Sequence, residues 1–329
     1  MLISRRAGLG ATLALPALAL PTLSLPALAQ PNWPSQSVRY INPYPPGGPT
    51  DTLSRRLCQK LTELSGQQFV VENRSGAGGN VGVDVVAKSR PDGYTLGLGG
   101  IASHAVAPSM HASLPFDVTR DFTYISGMWQ LPNLLAVNLN LPVHSVADLV
   151  ALARARPGIL TFGSAGPGTS LHLAGEVFNL MAGVRLVHVP YRGSAPAQLD
   201  LLAGRVDMMF DNIPGTLTLS RQGRVRPLGV TSAGRSPAAM DIPAIAETLP
   251  GFDVVSWTCL IGPAGIPAPI TLRLSELMRA ALTAPDLRAA YLELGATAWF
   301  TTPEEIATYR AQSQAALAPV IRAAGLRAD

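Results

Sequence analysis

Two apolar runs in this chain each end in a glycine-rich turn that feeds a helical pattern. This strand–turn–helix unit, used twice, limits the possible folds more than any other feature. The first turn is Pro45-Pro46-Gly47-Gly48-Pro49-Thr50-Asp51, after Val38-Arg39-Tyr40-Ile41. The second is Gly163-Ser164-Ala165-Gly166-Pro167-Gly168-Thr169-Ser170, after Leu160-Thr161-Phe162. The prolines set φ, and the glycines allow a tight turn and close approach by a guest. A helix starting there leaves its first N–H groups unpaired and its positive dipole end facing the turn, which suits an anion. The same residues also make sense if Thr50 or Asp51 only caps the helix. A carboxylate at Asp51 repels an anion unless it caps backward or meets a donor on the ligand. Two such units, far apart in the chain, predict two lobes holding one small anion between helix N-termini.

Strands and helices alternate around these units. Strands are predicted over 38–41, 68–72 and 94–98, with helices over 50–64 and 79–88, a βαβαβ pattern that favours a largely parallel sheet. Residues 108–123 read as irregular apart from a short turn of helix. Residues 134–138 read as a strand crossing between lobes. The alternation then repeats from a helix over 146–155 to a strand over 225–231. An apolar run over 254–260, containing Trp257, returns the chain to the first lobe, and helices over 269–283, 284–293 and 303–323 pack there. A mature chain of about 300 residues exceeds the usual size of a single core. The expectation is therefore an α/β fold with one lobe of residues 30–136 and 258–329, a second of residues 137–257, and hinge strands between them.

Residues 1–29 read as a secretory signal peptide. Ser4-Arg5-Arg6 precedes an uncharged apolar stretch that ends in the cleavage pattern Ala27-Leu28-Ala29, which makes Gln30 the first mature residue. Pro16, Pro21 and Pro26, with no basic cluster after the run, argue against a membrane anchor. The start fits a twin-arginine signal as well as an ordinary one. The formal charge is +4, and the leader holds two arginines and no acid, which leaves the mature chain near +2. With no basic tract beside an aromatic ladder, nucleic acid is not an expected partner; the balance mildly favours a small anion.

Cys58 and Cys259 either pair or stay as two buried thiols, and two thiols are too few for a zinc or iron–sulfur centre. The histidines His104, His111, His144, His172 and His188 show no metal-binding spacing, so no metal is expected. A third glycine loop, Asn73 to Asn80, lies between a strand and a helix. Val81 stands where a dinucleotide turn needs its last glycine, so no nicotinamide or flavin cofactor is expected. Tyr191-Arg192-Gly193 and Asp211-Asn212 make two further strand-end turns, and all five turns can share the carboxyl edge where open α/β sheets bind ligands. His172 and Glu176 lie one helical turn apart, and His172 either packs behind the second turn or touches the ligand. There is no G-x-S-x-G and no P-loop. Spacing alone leaves a scattered Ser/His/Asp triad open.

The stretches "YPPGGPTDTLSRRL", "VENRSGAGGNVGVDVVAKSRPDGYTLGLG", "GSAGPGTSLHLAGEVFN", "VPYRGSAPAQLDLLAGRVDMMFDN" and "PLGVTSAGRSPAAMDIPAIAE" cover nearly all of the mature chain. In this order they resemble the tripartite tricarboxylate transporter receptors, also called Bug extracytoplasmic solute-binding proteins. The resemblance implies a type II periplasmic-binding-protein-like fold with a central cleft. It also implies a non-enzymatic, monomeric periplasmic receptor that takes a small organic acid to membrane permease subunits, without a cofactor. By the same resemblance the first turn grips a carboxylate with Pro46, Gly47, Gly48, Thr50 and Asp51. The second grips the other end with Ser164, Gly168, Thr169 and His172. Ala77, Tyr191, Asp211 and Asn212 belong to the cleft wall. Arg192 stands where the family often has Lys, and Pro243-Ala244 where it usually has Pro-Thr. Two other roles stay open: a ligand-binding component for a membrane sensor kinase, and a secreted α/β hydrolase.

Overall fold

The computed structural model describes residues 33–327; the expected leader lies outside them. The chain starts with β1 (Val38–Asn42), α1 (Pro49–Ser65), β2 (Phe69–Asn73), α2 (Asn80–Ala87) and β3 (Thr95–Gly100). These strands pair in parallel in the order β2-β1-β3, as the βαβαβ pattern requires. Helix α1 buries Leu53, Leu57 and Leu61, one per turn on a single stripe, each contributing about 1.5–3 kcal/mol of burial. Gly66 ends it in the left-handed region (φ 73), its N–H bonded to the Thr62 carbonyl.

A π-helical turn over Ala102–Val106 runs into α3 (Ala107–Met110). Next comes β4 (Phe122–Val137), a strand of 16 residues. Residues 111–121 are irregular as expected, but the strand begins well before the predicted Leu134. Its first half escapes a periodicity reading because the register shifts between Tyr124 and Ser126 and again between Gly127 and Gln130. Gly127 is needed there: a Cβ would lie 2.7 Å from the Trp299 carbonyl oxygen.

The second half of the chain supplies α4 (Val146–Ala155), β5 (Thr161–Ser164), α5 (Ser170–Ala182), β6 (Val187–Pro190), α6 (Ser194–Leu202), β7 (Met208–Asn212), α7 (Ile213–Arg221) and β8 (Arg226–Val230). It closes with β9 (Val255–Pro263), α8 (Ala268–Thr283), α9 (Pro285–Glu293), β10 (Thr297–Ala298) and α10 (Pro303–Ala323). Helices α8 and α9 pack on α1, and α10 packs on β4 and the π-helical turn.

Strand β4 serves both lobes. Up to Pro132 it pairs antiparallel with β9, which itself pairs with β3. From Asn133 it pairs with β7 on one side and β8 on the other, and β7, β5 and β6 continue the second lobe's sheet. Proline at the changeover is apt, since it has no N–H to give to a ladder. Thr231 ties the two crossings together. It exchanges backbone and hydroxyl bonds with Asn133, and accepts from the Val254 N–H while donating to the Val254 carbonyl. Cys58 and Cys259 are separate buried thiols. Among the described residues no helix is long and apolar enough to cross a membrane, and no group of His, Cys, Asp and Glu is arranged to hold a metal ion.

Candidate functional site

The strand-end turns of both lobes meet around a cavity of about 60 Å³. Four helices start at its wall: the N-caps Gly48 of α1, Thr169 of α5, Gly193 of α6 and Asn212 of α7 all line it. No side chain caps α1, α6 or α7, so their first N–H groups are left for a guest. The 22 lining residues include no charged side chain. Thr50, Ser194, Thr258 and the apolar residues Leu98, Ile101 and Trp257 also line it, with the Ser194 and Thr258 hydroxyls donated to Asp211 and the Trp129 carbonyl. The result is a low-dielectric chamber with converging positive dipole ends, suited to an anion that is held by backbone donors.

The residues expected at the first turn divide into two sets. Pro46, Gly48 and Thr50 face the cavity. Asp51 is turned back beneath it. Its carboxylate accepts the Gly47 N–H at 3.0 Å, Arg55 Nε at 2.9 Å, Asn73 Nδ2 at 2.8 Å and Asn42 Nδ2 at 3.4 Å. Burial pushes this carboxyl up, but the bonds from Arg55, Gly47 and Asn73 together outweigh it and hold the group below its ordinary value. This backward turn removes the conflict between Asp51 and an anionic guest, because Arg55 already neutralises it.

At the second turn Thr169 lines the cavity, while Ser164, Gly168 and His172 stand behind it. The Ser164 hydroxyl accepts the Gly166 N–H at 3.1 Å and shares a hydrogen bond of 2.6 Å with His188 Nε2. His172 Nδ1 accepts the Gly168 N–H at 3.1 Å, and its ring stacks on His188 with centroids 3.8 Å apart. Burial, then the neighbouring His172, pushes His188 down to about 3.

Asn212 lines the cavity and donates to Asn133 Oδ1 at 2.6 Å, while Asn133 in turn donates to the Ser170 carbonyl. Asp211 is fully buried. It accepts from Ser194 Oγ, Gln198 Nε2, Thr216 Oγ1 and the Asn212 N–H. Burial raises its pKa against the pull of those donors. It fixes the starts of α6 and α7 instead of facing a ligand amino group. Ala77 and Tyr191 line an adjoining outer chamber, and the Tyr191 hydroxyl donates to Asp200 at 2.6 Å.

The residue reading missed Tyr44, Ser194 and the wall of Leu98, Ile101 and Trp257. Ser194 was within reach, as the first helical residue after Gly193. The apolar wall gives the same signal as core; Trp257 is only 1% exposed and its indole donates to Ser313.

The lobes touch where side chains are missing. A Cβ at Gly78 would lie 2.6 Å from the Pro167 carbonyl oxygen, and one at Gly193 would lie 3.0 Å from Pro45 Cγ. Two lobes, crossing strands and a cleft walled by helix N-termini define a solute-binding protein of the type II periplasmic class. The chain belongs to the tripartite tricarboxylate transporter family of receptors, which it matches over residues 53–326.

A UPF0065 protein in the tcbD-tcbE intergenic region of Pseudomonas sp. strain P51 is 40% identical over 277 residues, covering 84% of this chain and 82% of that protein. Among solved structures, R. palustris Rpa4515 with adipate superposes with a TM-score of 0.87 at 38% identity, covering 90% of this chain and 99% of that one. The periplasmic binding protein BugD gives 0.85 at 30% identity, with coverage of 90% and 99%. MatC from Rhodopseudomonas palustris with bound malate gives 0.82 at 29% identity, with coverage of 88% and 100%.

Proposed function

We propose that this protein is a periplasmic receptor that closes over a small organic carboxylate and presents it to the permease subunits of a tripartite tricarboxylate-type transporter. The observation that carries this reading is the convergence of four helix N-termini, from both lobes, on one cavity without charged side chains. Adipate in Rpa4515 and malate in MatC support the carboxylate assignment. In this reading Gly48, Thr50, Thr169, Ser194 and Asn212 hold the ligand directly. Pro46 and Gly47 shape the first turn, while Asp51, Ser164, Gly168, His172 and Asp211 keep the donors in place. Ala77 and Tyr191 form the cleft mouth.

Each charge-assisted hydrogen bond is worth roughly 1.5–3 kcal/mol net. A few of them, less the cost of ordering and closure, reach the ~8 kcal/mol of micromolar affinity. Bending at Pro132 and around Thr231 opens the cleft, and the Gly78–Pro167 and Pro45–Gly193 contacts mark the closed state.

The protein has no catalytic role in this reading. Ser164 and His188 are hydrogen-bonded, but Ser164 has no exposed surface and lies behind the turn, out of reach of a substrate in the cavity.

The test is a melting-shift screen on mature protein that has been unfolded and refolded to strip ligand, with adipate, malate and a panel of other acids. A true ligand at a hundred times its Kd stabilises the protein by about 2.7 kcal/mol. Refolded protein that responds to no acid overturns the reading.

A further inference from the structure

The cavity has an outer chamber. Tyr44, Pro45, Ala165 and Gly193 line both spaces and so form the neck between them. The outer chamber measures about 470 Å³ and is walled by Ser75–Gly79 from one lobe, and by Gly166, Pro167 and the Pro190–Gly193 turn from the other. Ser75, Gly76, Ala77, Pro190 and Arg192 are exposed, so the chamber opens to solvent.

Arg192 is the one charged residue among its 15 lining residues. The other cations nearby are taken: Arg74 pairs with Glu72, and Arg55 with Asp51 and Asn73. Arg192 makes no hydrogen bond or ion pair among the described residues.

We propose that this outer chamber is an encounter site for the anionic ligand, with Arg192 as its anchor. The proposal rests on the carboxylate reading above. An arriving acid meets its first fixed countercharge at the Arg192 guanidinium, whose fork matches a carboxylate. The inner cavity offers backbone dipoles and hydroxyls but no ionised side chain, so its attraction is short-ranged. A charge at the mouth raises local ligand concentration and association rate, an effect that salt weakens. When the lobes part at Pro45–Gly193 and Gly78–Pro167, the acid passes the neck and exchanges Arg192 for the helix N-termini. Once the lobes close, Arg192 lies outside the neck. It governs capture and not retention.

Stopped-flow fluorescence with adipate as probe tests this, since Trp257 lines the inner cavity. Wild type, R192K, R192Q and R192E are compared at low and physiological salt, with circular dichroism confirming that each variant is folded. R192Q is expected to lower the low-salt association rate about tenfold and flatten its salt dependence, with the dissociation rate unchanged. R192E lowers association further, and R192K keeps most of it. Association indifferent to position 192 overturns the encounter site while leaving the carboxylate reading intact. Faster dissociation at unchanged association also overturns it, by making Arg192 a retaining group. If neither adipate nor any acid of the panel binds wild type, the carboxylate reading falls and the role of Arg192 falls with it.

Discussion

The two glycine-rich turns at the cavity share a backbone design and differ in what holds them in shape. Beneath the first, an ionised Asp51 gathers the Gly47 N–H, Arg55, Asn73 and Asn42. Behind the second, the Ser164 hydroxyl, the His172 ring nitrogen and the stacked His188 do the same work. One brace needs its key group charged; the other needs its key group uncharged. The same ligand-facing geometry is therefore exposed to opposite chemical hazards, and acid separates the two.

Removing the charged brace has the largest expected effect. Asp51→Ala strands the buried Asn42 amide, the half-buried Asn73 amide, the Gly47 N–H and Arg55, and should cost about 3 kcal/mol by urea denaturation, with loss of carboxylate binding. A cost below about 1 kcal/mol would mean that the first turn holds itself.

The second brace is tested with acid. His188 has a folded pKa of about 3 against an ordinary 6.5, so between those values the unfolded chain binds more protons. Its contribution is intact above about 6.5 and is lost progressively as pH falls toward 3, by about 2 kcal/mol at pH 5. The depressed Asp51 keeps its contribution down to the ordinary carboxylate pKa and loses it only below that. His104, buried among Phe116, Phe122 and Tyr124, is also pushed down to about 3, by burial and then by Arg310, and adds its own slope. His188→Gln isolates the turn: it should flatten the stability profile between pH 6.5 and 5 by about 1.4 kcal/mol per pH unit. An unaltered slope would move the acid sensitivity elsewhere.

The smallest effect is expected at Thr169→Ala, which removes the only side-chain cap among the four helix starts at the cavity. About 1 kcal/mol of stability should go, measured in urea, with a weaker grip on the acid.

Much of this was legible in the residues because glycine and proline punctuate the chain so clearly. Gly48 and Gly168 mark turns where close approach and helix starts coincide, and Gly66 and Gly183 mark helix ends. The first half of β4 was not legible, because Gly127 and Pro132 break the alternation that identifies a strand. At the site, Thr169 and Asn212 could be picked out as polar groups at strand ends. The direction of Asp51 and Asp211 could not, since the same residues serve whether a carboxylate faces the ligand or its own helix. That choice depends on partners such as Asn73 and Gln198, which tertiary packing brings into reach. Leu98, Ile101 and Trp257 were hidden for the converse reason, as a cavity wall made of core residues has no signature of its own.

The absence of charged groups from the inner cavity has a consequence for the molecule as a whole. With Arg5 and Arg6 set aside, the formal charge of the chain falls from +4 to about +2. A dicarboxylate seated among neutral donors is not cancelled by a local cation, so its charge adds to the total and brings the loaded form close to electrically neutral. Empty and loaded receptor would then differ in long-range field as well as in shape, and a charged membrane partner could distinguish them before contact.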